Sequence, residues 1–112
     1  MGLARSQKGQ RATCESRVYS HGTSWHQLKK VKLAEADVFV FVIYTPTVAG
    51  ARTGFTEDFL VIPRKQLDQQ SASKKCSKGK YSFYFARNGG EWTEQRERLV
   101  NVSEFHSAWH LI

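Results

Sequence analysis

One segment of the sequence, ADVFVFVIYT at residues 36–45, predicts a strand that is apolar on both faces. Successive side chains of a strand point to opposite faces, so this segment presents two apolar sets. They are Val38, Val40 and Val42 on one face and Phe39, Phe41 and Ile43 on the other. A strand of this kind is central in its sheet and is covered on both sides. The chain must therefore supply layers that pack against this strand.

The length of the chain limits how those layers are built. A sequence of 112 residues has the length of one domain and is too short for a two-domain enzyme with a cleft between lobes. The first residues are polar and contain no large aromatic side chain. We therefore predict a flexible tail over residues 1–11 and a single domain over residues 12–112.

Further strands are predicted where short apolar or alternating segments occur. They cover about residues 12–19, 58–62 and 81–87 and a short stretch that includes Leu99 and Val100. A loop is predicted between the strands at 36–45 and 58–62, because this stretch contains Pro46 and two glycines.

Two helices are predicted from capping and spacing patterns. Ser24 followed by Gln27 resembles a capping box and predicts a helix over about residues 25–35, with Trp25 and Leu28 on its buried face. A second helix is predicted at the end of the chain, because apolar residues there form a stripe with helical spacing. That stripe consists of Phe105, Ala108, Trp109 and Ile112. The predicted fold class is α+β, a small mostly antiparallel sheet with a helix after the first strand and a C-terminal helix.

The positive charge of the chain is concentrated in two segments. The net charge is +7, and residues 1–35 and 64–80 each carry +5 while the remainder is negative. Two basic segments that converge on one face would attract phosphates. The candidate nucleic-acid-binding residues are Arg11, Lys29, Lys30, Lys32, Lys74, Lys75, Lys78 and Lys80. Two alternative roles for the positive charge are to keep the protein soluble and to contact an acidic protein partner.

The order of several short motifs resembles that of a known family. A strand containing E-S-R is followed by SWHQL, the apolar strand ending in YT, then DFLVIPR and a final AWHLI. This order resembles the second half of small PD-(D/E)XK nuclease-like proteins and covers residues 12–112. The resemblance implies that Glu15 is the metal-binding carboxylate and that Arg17 takes the place of the family's lysine.

The sequence departs from that family at the positions that carry its chemistry. Residues 1–14 contain no Asp or Glu, and Arg17 cannot lose its proton near neutral pH. Glu15 and Arg17 also share one strand face, about 6 to 7 Å apart, and are expected to form an ion pair. We therefore predict a truncated or decayed nuclease-like domain without catalytic activity or a cofactor.

An active metal-dependent nuclease is the alternative to that prediction. In it, Glu15 and Arg17 would be catalytic, Glu15 would bind Mg²⁺, and the missing ligand would come from Asp37, Asp58 or a second subunit.

Aromatic and basic residues alternate in KGKYSFYFAR, as they do on surfaces that bind single strands. The alternation predicts that Tyr81, Phe83 and Phe85 face the core, which leaves Tyr84 for base stacking. Self-association is also expected, because a short chain with a doubly apolar strand has more apolar surface than two helices cover.

The remaining expectations concern location and cysteine chemistry. No apolar run approaches the roughly 18 to 20 residues of a membrane span, and the polar first residues do not resemble a signal peptide. A cytoplasmic protein without a membrane partner is therefore expected, in which Cys14 and Cys76 are ordinary reduced thiols.

Overall fold

The computed structural model describes residues 3–5, 9–72 and 74–112, with residues 3–5 described as backbone only. The strands are β1 (Leu3–Arg5), β2 (Arg11–Val18), β3 (Ser24–Lys29), β4 (Val38–Ala49), β5 (Arg52–Pro63), β6 (Lys80–Asn88), β7 (Glu91–Glu94) and β8 (Val100–Asn101). The helices are α1 (Lys30–Leu33) and α2 (Arg64–Ser71), and 3₁₀ turns cover Ser103–Phe105 and Trp109–Leu111. The predicted α+β fold class is confirmed.

The strands form two sheets. The first sheet has the order β1-β2-β4-β5 and the second has the order β3-β6-β7-β8. β2 and β4 are parallel, while the other paired strands of the described residues are antiparallel. The expected predominance of antiparallel pairing is therefore confirmed.

β4 is buried on both faces, as its sequence predicts. None of residues 38–43 is more than 8% exposed. Phe39, Phe41 and Ile43 belong to the main core, together with Phe83 and Phe85 of the second sheet. The opposite face at Val38 and Val61 is covered by the last turns of the chain. The residues that cover it are Ala108, Leu111 and Ile112. Because one chain covers both faces, β4 itself does not require a second subunit.

The predicted helix over residues 25–35 is wrong in its first half. Ser24–Lys29 is strand β3, and the helix α1 begins only at Lys30. In this segment Ser24, His26 and Leu28 are buried while the residues between them are exposed, so the side chains alternate with a period of two. Pairing with β6 makes this alternation more favourable than the helical one. Trp25 is consequently 53% exposed rather than buried.

The C-terminal helix is replaced by two 3₁₀ turns. Ser107 lies between them with a φ of 52°, a conformation that no α-helix contains. Phe105 and Ala108 are buried as predicted, but Trp109 is 47% exposed and packs against Phe59 with ring centroids 5.1 Å apart.

The β4–β5 hairpin is longer than predicted and includes the stretch expected to be a loop. Its strands remain paired as far as Ala49 and Arg52, and Gly50 adopts a φ of 63° in the tight turn. Within the predicted tail, residues 3–5 pair with β2 and Arg11 begins β2, while residues 1, 2 and 6–8 lie outside the described residues. None of the helices found in the described residues has the length and apolar character needed to cross a membrane.

Candidate nucleic-acid interface

A pocket lies where β2 passes the edge of the second sheet at β3. Its lining, which we call the basic pocket, consists of Glu15, Arg17, Gln27, Lys29, Lys32 and Lys80. β2 supplies the first two residues, β3 supplies Gln27 and Lys29, and β6 supplies Lys80. With Arg17 balancing Glu15, the three lysines leave the lining with a net charge of +3. The pocket therefore attracts anions.

Two of these lysines lie directly opposite each other. Lys29 of β3 and Lys80 of β6 are cross-strand partners in the antiparallel register. No acidic side chain of the described residues forms a salt bridge with either ammonium group. Like charges in this arrangement are destabilising. Lys32, by contrast, is paired with Glu35 at 3.0 Å.

The carboxylate of Glu15 is paired with Arg17. Arg17 Nη1 lies 2.6 Å from Glu15 Oε1 and also donates a hydrogen bond to the carbonyl of Ser16 at 2.7 Å. The Glu15 side chain is largely buried, whereas that of Arg17 is half exposed. The ion pair predicted from the sequence is confirmed, and it occupies the one carboxylate among the residues that line the basic pocket.

Asp37 and Asp58, the acidic residues considered as further metal ligands, make other contacts. Asp37 Oδ2 accepts a hydrogen bond from the backbone N–H of Arg11 at 2.9 Å. Asp58 lies 2.9 Å from His106 Nε2 and 3.3 Å from Arg87 Nη1. Within residues 9–72 and 74–112, no three His, Cys, Asp or Glu side chains are grouped as metal ligands would be. The pocket lining, with one carboxylate and several cations, does not fit Mg²⁺.

The structure brings together three of the eight predicted binding residues. Lys29, Lys32 and Lys80 line the basic pocket. Lys30 instead lines a depression between α1 and α2, and Arg11 lies 3.8 Å from Asp37.

Lys74 requires a correction, because its side chain is buried. The side chain is only 3% exposed, and its ammonium group lies 2.5 Å from Glu94 and 2.9 Å from Glu97. It also donates to the carbonyl of Ser82 and lies 4.7 Å from the centroid of the Phe83 ring. Lys74 thus joins the loop before β6 to β7, and we remove it from the candidate surface.

Lys75 and Lys78 are exposed in that same loop. Lys78 adopts a φ of 53° in the turn that Ser77 and Lys80 close. Neither residue lines the basic pocket.

An apolar depression adjoins the basic pocket and was missed from the sequence. Its lining consists of Arg17, Val18, Ser20, His21, Thr23, Trp25 and Gln27. Trp25 lies opposite Tyr84 across the β3–β6 pair, and the two rings meet edge to face with centroids 5.7 Å apart. The period-two alternation of SWHQLK was the signal that could have placed Trp25 on this outer face.

Tyr84 lies on the outer face of the second sheet, where the sequence placed it. The buried Phe83 and Phe85 flank it in β6, and the Arg96 guanidinium lies 5.3 Å from its ring centroid. The outer face therefore combines aromatic rings with cations.

Comparisons of the chain with family models, with curated proteins and with solved structures found no match. The resemblance to PD-(D/E)XK nuclease-like proteins accordingly remains a prediction.

Proposed function

We propose that this chain is a non-catalytic nucleic-acid-binding domain whose basic pocket contacts the phosphate backbone. The observation that carries the proposal is the pairing of Lys29 with Lys80 across β3 and β6. Both residues line one pocket together with Arg17. A bound phosphate would relieve the repulsion between them.

The expected affinity is electrostatic and largely independent of sequence. Lysine ammonium groups contact phosphates as point charges, and such contacts position a nucleic acid without reading its bases. Lys32 contributes less than Lys29 or Lys80, because Glu35 already neutralises part of its charge.

The proposed lack of catalysis follows from the Glu15–Arg17 pair. The Arg17 guanidinium, which is always charged, is paired with the Glu15 carboxylate that a metal would need, and it would repel Mg²⁺. A domain derived from the PD-(D/E)XK fold that kept its phosphate-binding surface and lost its metal chemistry would have this arrangement.

We also propose that two copies associate through β5. This strand is at one end of the first sheet, and on the edge that faces away from β4 the described residues supply no strand to pair with its residues 52–58. An uncovered strand edge is a template for pairing with another chain, and two identical edges can pair antiparallel about a two-fold axis. Phe55 of this edge strand is 62% exposed and would be partly covered by the second copy, and Val48 of the adjacent β4 is 75% exposed.

A binding titration at two salt concentrations tests the nucleic-acid proposal. Fluorescence anisotropy of a labelled oligonucleotide would be measured at about 50 and 200 mM salt. Three phosphate contacts predict a loss of affinity of about 20- to 40-fold over this range. Affinity that stays constant with salt, or no binding at low salt, would contradict the proposal and favour an acidic protein partner or a solubilising role for the charge.

A further inference from the structure

We propose that the apolar depression accepts an unpaired base stacked on Trp25, so that the preferred ligand is single-stranded rather than duplex nucleic acid. This inference rests on the proposed function, because it assumes that phosphates occupy the adjoining basic pocket. The inference specifies that the preferred nucleic acid is single-stranded, which the charges alone do not determine.

The first argument is the continuity of the two sites. Arg17 and Gln27 line both the apolar depression and the basic pocket. Along β3, Trp25, Gln27 and Lys29 lie on the same outer face, and the Cα atoms of Trp25 and Lys29 are about 13 Å apart along the strand. One short segment of a strand would therefore contact an aromatic ring first and the cations next.

The second argument is the exposure of Trp25 on an otherwise polar strand face. Trp25 is 53% exposed, and the ring of its neighbour Tyr84 meets its ring at an interplanar angle of 82° rather than stacking on it. Gln27 and Lys29, the other outward residues of β3 beyond Trp25, are polar. A large exposed aromatic ring beside cations is typical of surfaces on which bases stack.

The third argument concerns which bases are available. In a duplex, each base is already stacked on its neighbours inside the helix, so its face cannot contact a protein ring. In a single strand the bases can be turned out and stacked on aromatic side chains. Trp25 should therefore strengthen binding of single strands only, whereas the lysines should strengthen binding of both forms.

The test compares Trp25→Ala with the parent protein on a mixed-sequence single-stranded DNA and on its duplex. We expect the substitution to weaken single-strand binding about 10-fold or more and to leave duplex binding within about 2-fold. Trp25→Phe should retain most of the single-strand affinity, because it keeps an aromatic face. Trp109→Ala is the matched control, since Trp109 is similarly exposed but packs on Phe59 of the first sheet.

An abasic oligonucleotide with the same number of phosphates separates stacking from charge. The parent protein should bind it no more tightly than Trp25→Ala binds the normal single strand. If both DNA forms bind but Trp25→Ala weakens them equally or not at all, the stacking inference is wrong while the proposed function stands. If neither form binds at low salt, the proposed function itself is wrong.

Discussion

Arg17 Nη1 lies 2.6 Å from Glu15 Oε1, on the face of β2 that passes the edge of the second sheet. The residues are two positions apart on one strand, and their side chains meet as the sequence predicts. In the resemblance to PD-(D/E)XK proteins, these are the positions of the metal-binding carboxylate and the lysine. The ion pair is internally neutral and occupies the Glu15 carboxylate.

The first prediction is that the protein does not cleave nucleic acid with Mg²⁺ or Mn²⁺. Incubation with plasmid DNA and with RNA, followed by gel electrophoresis, should show intact substrate for both the parent and Glu15→Gln. Neither metal should raise the melting temperature, because a metal that does not bind the folded state does not stabilise it. Glu57→Gln, which removes an exposed carboxylate from the β4–β5 hairpin, is the matched control. Metal-dependent cleavage by the parent that Glu15→Gln abolishes would establish the nuclease alternative instead.

The second prediction concerns the buried cation at Lys74. Lys74→Gln leaves Glu94 buried without its charged partner and should lower the free energy of unfolding by about 3 to 5 kcal/mol. Urea denaturation followed by fluorescence would measure this loss. Lys75→Gln, at the exposed neighbouring position, should change stability by less than about 0.5 kcal/mol. Equal stability of the two variants would mean that the Lys74–Glu94 pair does not stabilise the fold.

The third prediction concerns stability at acid pH and His26. Burial, with a smaller effect of the nearby Arg17, lowers the pKa of His26 to about 3. Its ring packs against Phe41 and Phe85, and its Nε2 lies 2.6 Å from the hydroxyl of Ser24.

The sign of the effect follows from which state binds the proton. Between its ordinary pKa near 6.5 and about 3, the unfolded chain protonates His26 and the folded protein does not. Stability should therefore fall by about 1.4 kcal/mol per pH unit as the pH is lowered through this range.

Urea denaturation at about pH 7 and pH 4.5 would measure that change. His26→Phe should remove about 3 kcal/mol of the pH dependence, although the unpaired Ser24 hydroxyl lowers its stability by a constant amount. His21→Gln, in an exposed loop, should keep the parent's pH dependence. The same pH dependence in His26→Phe and the parent would show that His26 does not carry this effect.

The fourth prediction is self-association through β5. Sedimentation equilibrium at micromolar concentration should give about twice the mass of one chain. Phe55→Ser should shift the protein toward the monomer, while Val31→Ser, at an equally exposed apolar position on α1, should not. A parent protein that sediments as a monomer would refute the dimer.

The features that the sequence predicts correctly are those that depend on a local pattern of residues. β4 was predicted because both of its faces are apolar, and burial of both faces satisfies that pattern without reference to the rest of the chain. The Glu15–Arg17 pair was predictable for a similar reason, since two residues on one strand face meet whatever surrounds them.

The segment SWHQLK was mispredicted because it satisfies two periodicities. Ser24 and Gln27 have the spacing of a capping box, and Leu28 is buried in either a helix or a strand. Pairing with β6, more than 50 residues away, decides between the two.

The candidate site depends on contacts of the same long range. Lys29 meets Lys80 only through the register of β3 and β6, and Lys74 meets Glu94 only because the loop folds over β7. Counting charges along the chain therefore found the basic segments, but it could not separate the solvent-facing lysines from the buried one.

The most direct test of the proposed function is the loss of affinity caused by removing the opposed lysines. Lys29→Gln/Lys80→Gln would be compared with Lys65→Gln/Arg98→Gln, which removes the same charge from exposed positions outside the basic pocket. Binding of a single-stranded oligonucleotide would be titrated by anisotropy at several salt concentrations.

We predict that the Lys29/Lys80 variant binds at least about 10-fold more weakly at low salt, with the slope of log affinity against log salt reduced by about 1.4. The Lys65/Arg98 variant should remain close to the parent. Equal affinities of the two variants at every salt concentration would contradict a phosphate-binding role for the basic pocket.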